Sequence, residues 1–138
     1  MNKTNLYRAL TVVLLAVLSL GVLSGCAAGL PEGFDQAEVD TAAKNVIDLL
    51  DRRDSDGLSA ILSDDMKVGL TEDLRAQIFA YLDGAGAVRE IKQLKSAGSE
   101  ENGITFVVVV ASVQHENTDI TYTISFDKDM KLAGLYLK

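Results

Sequence analysis

Cysteine, histidine, proline and tryptophan are scarce in this sequence of 138 residues, which contains one cysteine, one histidine, one proline and no tryptophan. A single cysteine excludes an intramolecular disulfide and a site in which several thiolates hold a metal. The spacing patterns of phosphate-binding loops, dinucleotide-binding turns, zinc sites and hydrolase nucleophiles are also missing from the sequence. We therefore predict no catalytic residue, no metal and no cofactor.

Acidic residues outnumber basic ones, 20 to 13, and the formal net charge is −7. The first 25 residues contain two basic and no acidic side chains, so the remaining 113 residues carry a charge of −9. Like charges repel, and no basic cluster interrupts this acidic chain. We therefore predict no nucleic-acid partner and no attraction of the protein surface to anionic lipid.

The beginning of the chain has the pattern of an export signal. Lys3 and Arg8 precede an apolar run over residues 9–23, which is typical of a secretory signal peptide. The run ends in Leu23-Ser24-Gly25-Cys26, a motif that resembles the lipobox of bacterial lipoproteins. This resemblance implies that a signal peptide of residues 1–25 is cleaved between Gly25 and Cys26, and that Cys26 is then lipidated.

Lipidation of Cys26 would anchor the protein in the cell envelope. The anchor would hold it on the outer face of the cytoplasmic membrane, or in the outer membrane if the source has one, and two or more acyl chains anchor a protein stably. A second interpretation is an uncleaved membrane anchor, because residues 9–30 are almost long enough to cross a bilayer. The small residues Ser24 and Gly25 before Cys26 favour cleavage.

Residues 26–33 are predicted to form a short tether, because they include Gly29, Pro31 and Gly33 and have no apolar period. Residues 34–138 are predicted to form one folded domain. Three helices should begin it. The first is capped by Asp35 and runs to about Arg53, the second is short and lies near residues 58–62, and the third runs from Thr71 to residues 83–86.

The pattern then changes from helices to strands. Residues 104–113 are an almost unbroken β-branched run, and apolar residues alternate with polar ones over 120–126. An irregular strand is predicted over 88–95 and a last strand over 131–137, with turns at 96–103 and 127–129. These elements predict an α+β domain in which three helices pack on a curved four-stranded antiparallel meander.

The closing hairpin and the order of the elements resemble a family of uncharacterised bacterial domains. The resemblance covers residues 34–137 and is clearest in Phe126-Asp127-Lys128-Asp129 and the following 131–137. That family is similar to the cone-shaped nuclear-transport-factor-2-like fold, and its members occur as envelope lipoproteins or ahead of α/β-hydrolase domains, which this chain lacks. Met130 departs from the pattern, because a glycine is expected at that position of the turn.

Four aromatic residues are candidates for lining a pocket: Tyr81, Tyr122, Tyr136 and Phe126. The alternative is that the tyrosines are core residues whose hydroxyls reach the edge of the core. His115 lies in a polar run beside a predicted turn, so we expect a solvated histidine and not a catalytic base.

A calcium loop is not expected from the acidic turns, because they lack the alternating ligands of such a loop. The residues concerned are Asp54, Asp56, Asp64 and Asp65.

The central strand carries apolar residues on both faces, although helices can cover only one of them. One face is predicted to hold Val107, Val109, Ala111 and Val113, and the other Ile104, Phe106, Val108 and Val110. The uncovered face predicts a homodimer.

The sequence favours a non-catalytic, envelope-tethered module that binds a small apolar ligand or a protein partner in the envelope. The alternative, implied by the resemblance, is a small isomerase- or cyclase-like enzyme that uses an interior carboxylate and a tyrosine.

Overall fold

Four helices precede four strands within residues 29–138, which are the residues that the computed structural model describes. The helices are α1 (Gln36–Asp51), α2 (Ser55–Ile61), α3 (Asp64–Gly69) and α4 (Glu72–Ala85). The strands are β1 (Val88–Glu101), β2 (Ile104–His115), β3 (Asp119–Phe126) and β4 (Leu132–Leu137). The predicted α+β class is confirmed. The predicted signal peptide, its cleavage site and Cys26 lie outside the described residues.

A side-chain oxygen caps the N-terminus of each of the four helices. The Asp35 carboxylate accepts a hydrogen bond from the Glu38 backbone N–H at 3.0 Å, as the sequence predicts for α1. The hydroxyl of Thr71 accepts from the Leu74 backbone N–H at 3.2 Å and begins α4. Such caps satisfy backbone donors that a helix leaves without partners, so local sequence sets these helix starts.

The strands form one open antiparallel sheet in the order β1-β2-β3-β4, which confirms the predicted meander. The pairing of β1 with β2 is irregular between Val88 and Glu90 and between Ile91 and Gln93. This irregularity explains the spacing of three in residues 88–95, because each extra residue shifts the side chains to the other face.

Two sequence predictions are wrong at the level of elements. A further helix, α3, follows α2 directly, because Ser63 caps it by accepting a hydrogen bond from the Met66 backbone N–H. Residues 96–101 continue β1 and do not form a turn. The turn is only Asn102-Gly103, which joins the paired residues Glu101 and Ile104.

Helices and sheet enclose one apolar core. The helix-facing residues of β2 predicted from the alternation, Val107, Val109, Ala111 and Val113, are all 0 % exposed. The core also contains α1, whose buried face follows the predicted spacing of three and four. The buried residues of α1 are Val39, Ala43, Val46, Ile47, Leu49 and Leu50.

Within residues 29–138, no helix packs against the other face of the sheet, which is called the outer face below. Ile104 and Val110 are exposed there on β2, and Tyr136 is exposed on β4. Val110 pairs with Thr123, and Thr123 pairs with Tyr136, so these three residues form a continuous row across β2, β3 and β4. Lys95 of β1 pairs with Val110 at the end of this row.

Candidate functional site

A groove of about 610 Å³ lies between α3, α4 and β4. Its walls are mainly aliphatic and aromatic. The lining residues are Met66, Gly69, Leu70, Leu74, Gln77, Ile78, Tyr81, Leu135, Tyr136, Leu137 and Lys138.

Local sequence explains why the groove is apolar. On α4, Leu74, Ile78 and Tyr81 recur at intervals of four and three, which places them on one face of the helix. On β4, Leu135 and Leu137 are two residues apart and therefore share a face of the sheet. The helix face and the edge strand thus supply two apolar walls.

The groove lining contains no carboxylate, imidazole or thiol side chain. Its polar side-chain groups are the Gln77 amide, the Lys138 ammonium and the hydroxyls of two tyrosines. A few polar groups in a mostly apolar cleft can orient a ligand. Acid-base catalysis at neutral pH usually needs a group such as histidine or a carboxylate within hydrogen-bond reach of the reacting atom.

The structure separates the four predicted pocket residues into two pairs. Tyr81 is 48 % exposed and Tyr136 is 62 % exposed, and both line the groove. Tyr122 and Phe126 are fully buried in the core and do not line it. The reason is the alternation of β3, which turns both residues toward the helices.

The prediction of a solvated His115 is wrong, because this histidine is only 3 % exposed. It ends β2 two residues after the buried Val113 and therefore continues the helix-facing row. That alternation was the signal in the sequence that could have placed His115 inside. Both of its ring nitrogens have partners: Nδ1 lies 2.7 Å from Gly86 O, and Nε2 lies 2.9 Å from the Tyr122 hydroxyl.

These contacts assign the proton positions of the pair. A carbonyl oxygen can only accept, so Nδ1 of His115 carries a hydrogen and donates it to Gly86 O. In the neutral ring Nε2 then accepts a hydrogen bond from the Tyr122 hydroxyl. Burial raises the pKa of Tyr122 well above its ordinary value, and the negative charge of Asp51 adds to this effect. The phenol therefore keeps its proton.

The segment that follows β2 ties the end of α4 to the sheet. In addition to the His115 contact, the Asn117 backbone N–H donates to Ala85 O at 2.9 Å, and its side-chain amide donates to Gly84 O at 3.1 Å. The Glu116 backbone N–H donates to Ala87 O at 3.0 Å. His115 and Tyr122 thus belong to the connection between α4 and the sheet, and neither lines the groove.

The enzyme interpretation requires an interior carboxylate beside a tyrosine. The partner of buried Tyr122 is instead an imidazole. The nearby carboxylate of Asp51 accepts a hydrogen bond from the Val88 backbone N–H at 2.9 Å, so it joins α1 to β1.

Two of the four aspartates in the turns have structural partners. Asp54 caps α2 by accepting from the Gly57 backbone N–H, and Asp64 pairs with Lys67, whose hydrogen bond and charge lower the pKa of Asp64. Asp56 and Asp65 are exposed. No group of three or more metal-binding side chains occurs within residues 29–138.

Comparison with known proteins places the fold in a family. The model of the family described as "Protein of unknown function (DUF3887)" matches residues 43–135. The chain belongs to the DUF3887 family. The match begins within α1 and ends within β4, so it includes parts of these two elements and every element between them.

A solved structure has the same fold as this DUF3887 domain. It is described as an "NMR structure of protein from Ruminococcus gnavus ATCC 29149", and it matches with a TM-score of 0.69. The sequences are 24 % identical over 77 % of this chain and 93 % of that chain. A search of curated proteins finds no match. In the span from residue 29 to residue 138, the search for a helix of sufficient length and hydropathy to cross a bilayer finds none.

Proposed function

We propose that this DUF3887 domain is the folded part of an envelope lipoprotein and that its groove binds a small apolar ligand without catalysing a reaction. The observation that carries the proposal is the groove between α4 and β4, which is apolar on two walls and lined by no carboxylate or imidazole side chain. Its volume of about 610 Å³ is in the range of small-molecule sites, roughly 300–1,000 Å³.

The proposed anchor is acylated Cys26, after removal of residues 1–25. The pattern of Lys3, Arg8, the apolar run and Leu23-Ser24-Gly25-Cys26 supports it. The proposed relation to the nuclear-transport-factor-2-like cone is supported by helices that cover one face of an antiparallel sheet.

Binding in the groove is tested with the uncharged fluorescent probe N-phenylnaphthylamine. Leu74 lines the groove and is 43 % exposed, so Leu74→Glu should fold and yet place a charge against the bound probe. We expect the affinity for the probe to fall at least roughly tenfold, because a charge is costly beside an apolar ligand.

Val68→Glu is the matched control, because Val68 is an exposed aliphatic residue of α3 that does not line the groove. Its affinity for the probe should equal that of the wild type. Binding in this groove would be refuted if both variants lost affinity for the probe equally, or if neither variant lost affinity.

The anchor is tested by replacing Cys26 with Ser and fractionating the cells. The wild type should partition with membranes and have a mass that shows residues 1–25 removed and acyl chains attached. The variant should lose the acyl chains. A variant that stays wholly in the membrane fraction and keeps residues 1–25 would support the uncleaved anchor instead.

We propose in addition that the outer face of the sheet pairs two copies of the chain. The observation that favours this pairing is the row of Val110, Thr123 and Tyr136, in which Val110 and Tyr136 are exposed and Thr123 is partly buried, with the exposed Ile104 on the same face. A twofold axis brings identical surfaces together. The three residues of this row on β2, β3 and β4 are uncharged, and the nearest charged neighbour is Lys95 of β1, which pairs with Val110 at the end of the row.

A further inference from the structure

Residues 30–33 of the predicted tether, together with Phe34 at the start of the predicted domain, pack against the domain; residues 30–34 are called the linker below. Leu30 and Phe34 are partly buried against the core. Pro31 lies directly over Gly98 of β1, where a Cβ atom would overlap the proline ring. The Pro31 carbonyl accepts a hydrogen bond from the Phe34 backbone N–H at 3.2 Å. The chain is therefore held on β1 before α1 begins.

A second contact fixes the start of α1 at the same place. The side-chain amide of Gln36 donates to Ser96 Oγ at 2.8 Å, and Ser96 Oγ lies 3.1 Å from Gln36 Oε1. Ser96 and Gly98 are two residues apart on β1 and share a face of the strand. The linker and the helix N-terminus thus lie along one short stretch of an edge strand.

The position of this contact limits how far the domain can move from a lipid at Cys26. Cys26 and Leu30 are four residues apart, and an extended chain spans at most about 3.5 Å per residue, or about 14 Å in total. If residues 30–34 were not docked, the free chain from Cys26 to Asp35 would be nine residues, or roughly 30 Å. Docking therefore halves the reach of the anchor.

The docked linker also lies at one end of the long sheet. Gly98 pairs with Val107, close to the Asn102-Gly103 turn, whereas His115 and the turn after it are at the opposite end of β2. From Val107 to His115 there are eight residues, which is about 26 Å at roughly 3.3 Å per residue. The two ends of the sheet would thus be at very different distances from a membrane that holds Cys26.

We infer that the docked linker orients the domain on the lipid surface, with the Asn102-Gly103 turn toward the bilayer and the turn at residues 116–118 away from it; this inference rests on the proposed lipidation of Cys26. The surface near the linker includes Glu32, Glu100 and Glu101, which are all exposed. Anionic headgroups would repel these carboxylates. The short covalent linker, and not charge attraction, therefore holds this end near the membrane.

The experiment uses the full-length lipoprotein, purified in detergent and reconstituted into vesicles. Ser99→Cys places a fluorophore near the linker, and Thr118→Cys places one at the far end; both residues are exposed. The sequence contains one other cysteine, Cys26, which acylation blocks. With a quencher on the lipid headgroups, the Ser99→Cys label should be quenched at least twice as strongly as the Thr118→Cys label.

Gly98→Leu tests whether docking causes the orientation, because its side chain would displace Pro31 from β1. The difference in quenching between the two labels should then largely disappear. Ala97→Leu is the control: Ala97 is exposed, adjacent in sequence, and on the opposite face of the strand. It should keep the wild-type difference.

The outcomes distinguish the orientation from the anchor. Vesicle-bound wild-type protein with equal quenching at both labels would refute the orientation alone, as would a Gly98→Leu variant that keeps the full difference. Protein that carries no acyl chain and does not bind the vesicles would refute the lipid anchor and the orientation with it.

Discussion

At the scale of single residues, the buried pair of His115 and Tyr122 decides how α4 is held on the sheet. The two rings are nearly parallel, with centroids 6.0 Å apart, and the hydroxyl of Tyr122 provides Nε2 of His115 with a buried hydrogen bond. The other ring nitrogen binds the carbonyl of Gly86, directly after α4. One polar pair therefore links a helix end to the inside of the sheet.

The stability contributed by this pair should depend on pH in the alkaline range. Near pH 7, Tyr122→Phe is expected to lower the free energy of unfolding by about 1–3 kcal/mol, because Nε2 of His115 would be buried without a partner. The unfolded phenol ionises near pH 10, whereas burial raises the pKa of Tyr122 in the folded protein. The stability due to the neutral phenol is therefore complete below about pH 10. It should fall by about 1.4 kcal/mol per pH unit above that value.

Urea denaturation of the wild type and of Tyr122→Phe between about pH 7 and pH 11 measures this effect. The difference in unfolding free energy between the two proteins should be constant at first and then shrink. Tyr81 and Tyr136 are exposed in the folded protein and are present in both proteins. Any contribution of their ionisation to the unfolding free energy therefore cancels in the difference. A difference that stays constant up to pH 11 would contradict the pKa shift of the buried phenol.

At the scale of elements, the β1-β2 hairpin is longer than its sequence pattern suggests. Asn102 and Gly103 have φ values of 52° and 77°, and a type I′ turn requires positive φ at both central residues. Asn-Gly is the dipeptide that most favours this turn. The Asn102-Gly103 turn thus allows β1 and β2 to stay paired beyond the core, where their side chains are mostly exposed.

Gly103→Ala should destabilise the domain by about 1 kcal/mol or more, because a Cβ is disfavoured at positive φ. Gly84→Ala is the matched comparison: Gly84 lies within α4, and nothing is within 4 Å of its Cβ position. It should stabilise the domain by about 0.5–1 kcal/mol, since alanine favours helix. Thermal unfolding of both variants measures these changes. A neutral Gly103→Ala would indicate another turn geometry.

The turn between β3 and β4 also requires a residue with positive φ, and here that residue is a methionine and not a glycine. Met130 has a φ of 56°, in the left-handed region where glycine is favoured. This is the position at which the resemblance to other bacterial domains predicts a glycine. Asp127 supports the turn, since its carboxylate accepts from the Asp129 and Lys131 backbone N–H groups at 2.9 Å each.

At the scale of the whole molecule, the sheet has one face in the core and an outer face that no helix of residues 29–138 covers. Val110 is 42 % exposed in the middle of the outer face. If two copies pair through this face, Val110→Lys should place two like charges in the contact and abolish the dimer. Sedimentation of residues 29–138 over a range of concentrations measures the association.

Val68→Lys is the control for this test, because Val68 is exposed on α3, which packs on the helix side of the sheet and not on the outer face. It should associate as the wild type does. A wild-type domain that sediments as a monomer at millimolar concentration would refute the pairing.

The sequence by itself determined the order of the strands, the starts of α1 and α4 and the inward row of β2, but it did not indicate α3. These features depend on neighbouring residues, such as Asp35 with Glu38 in α1 and the period of two in residues 107–113. The same alternation extends to His115, but its polar neighbours hid the buried position. Neighbouring residues thus determine whether a segment forms a helix or a strand, and the spacing of its apolar residues indicates which face is apolar.

Only the tertiary structure decided which faces come together. The groove brings residues of α3 and α4 together with residues of β4, and Tyr81 and Leu135 are more than 50 positions apart in the chain. The periodicity within one helix or strand cannot predict a contact between residues so far apart. The partner of His115 and the docking of Pro31 on Gly98 are likewise contacts between separate elements. Such contacts depend on how whole elements pack against each other. Packing is set by the fit between the surfaces of the elements and by the apolar area that they remove from water together.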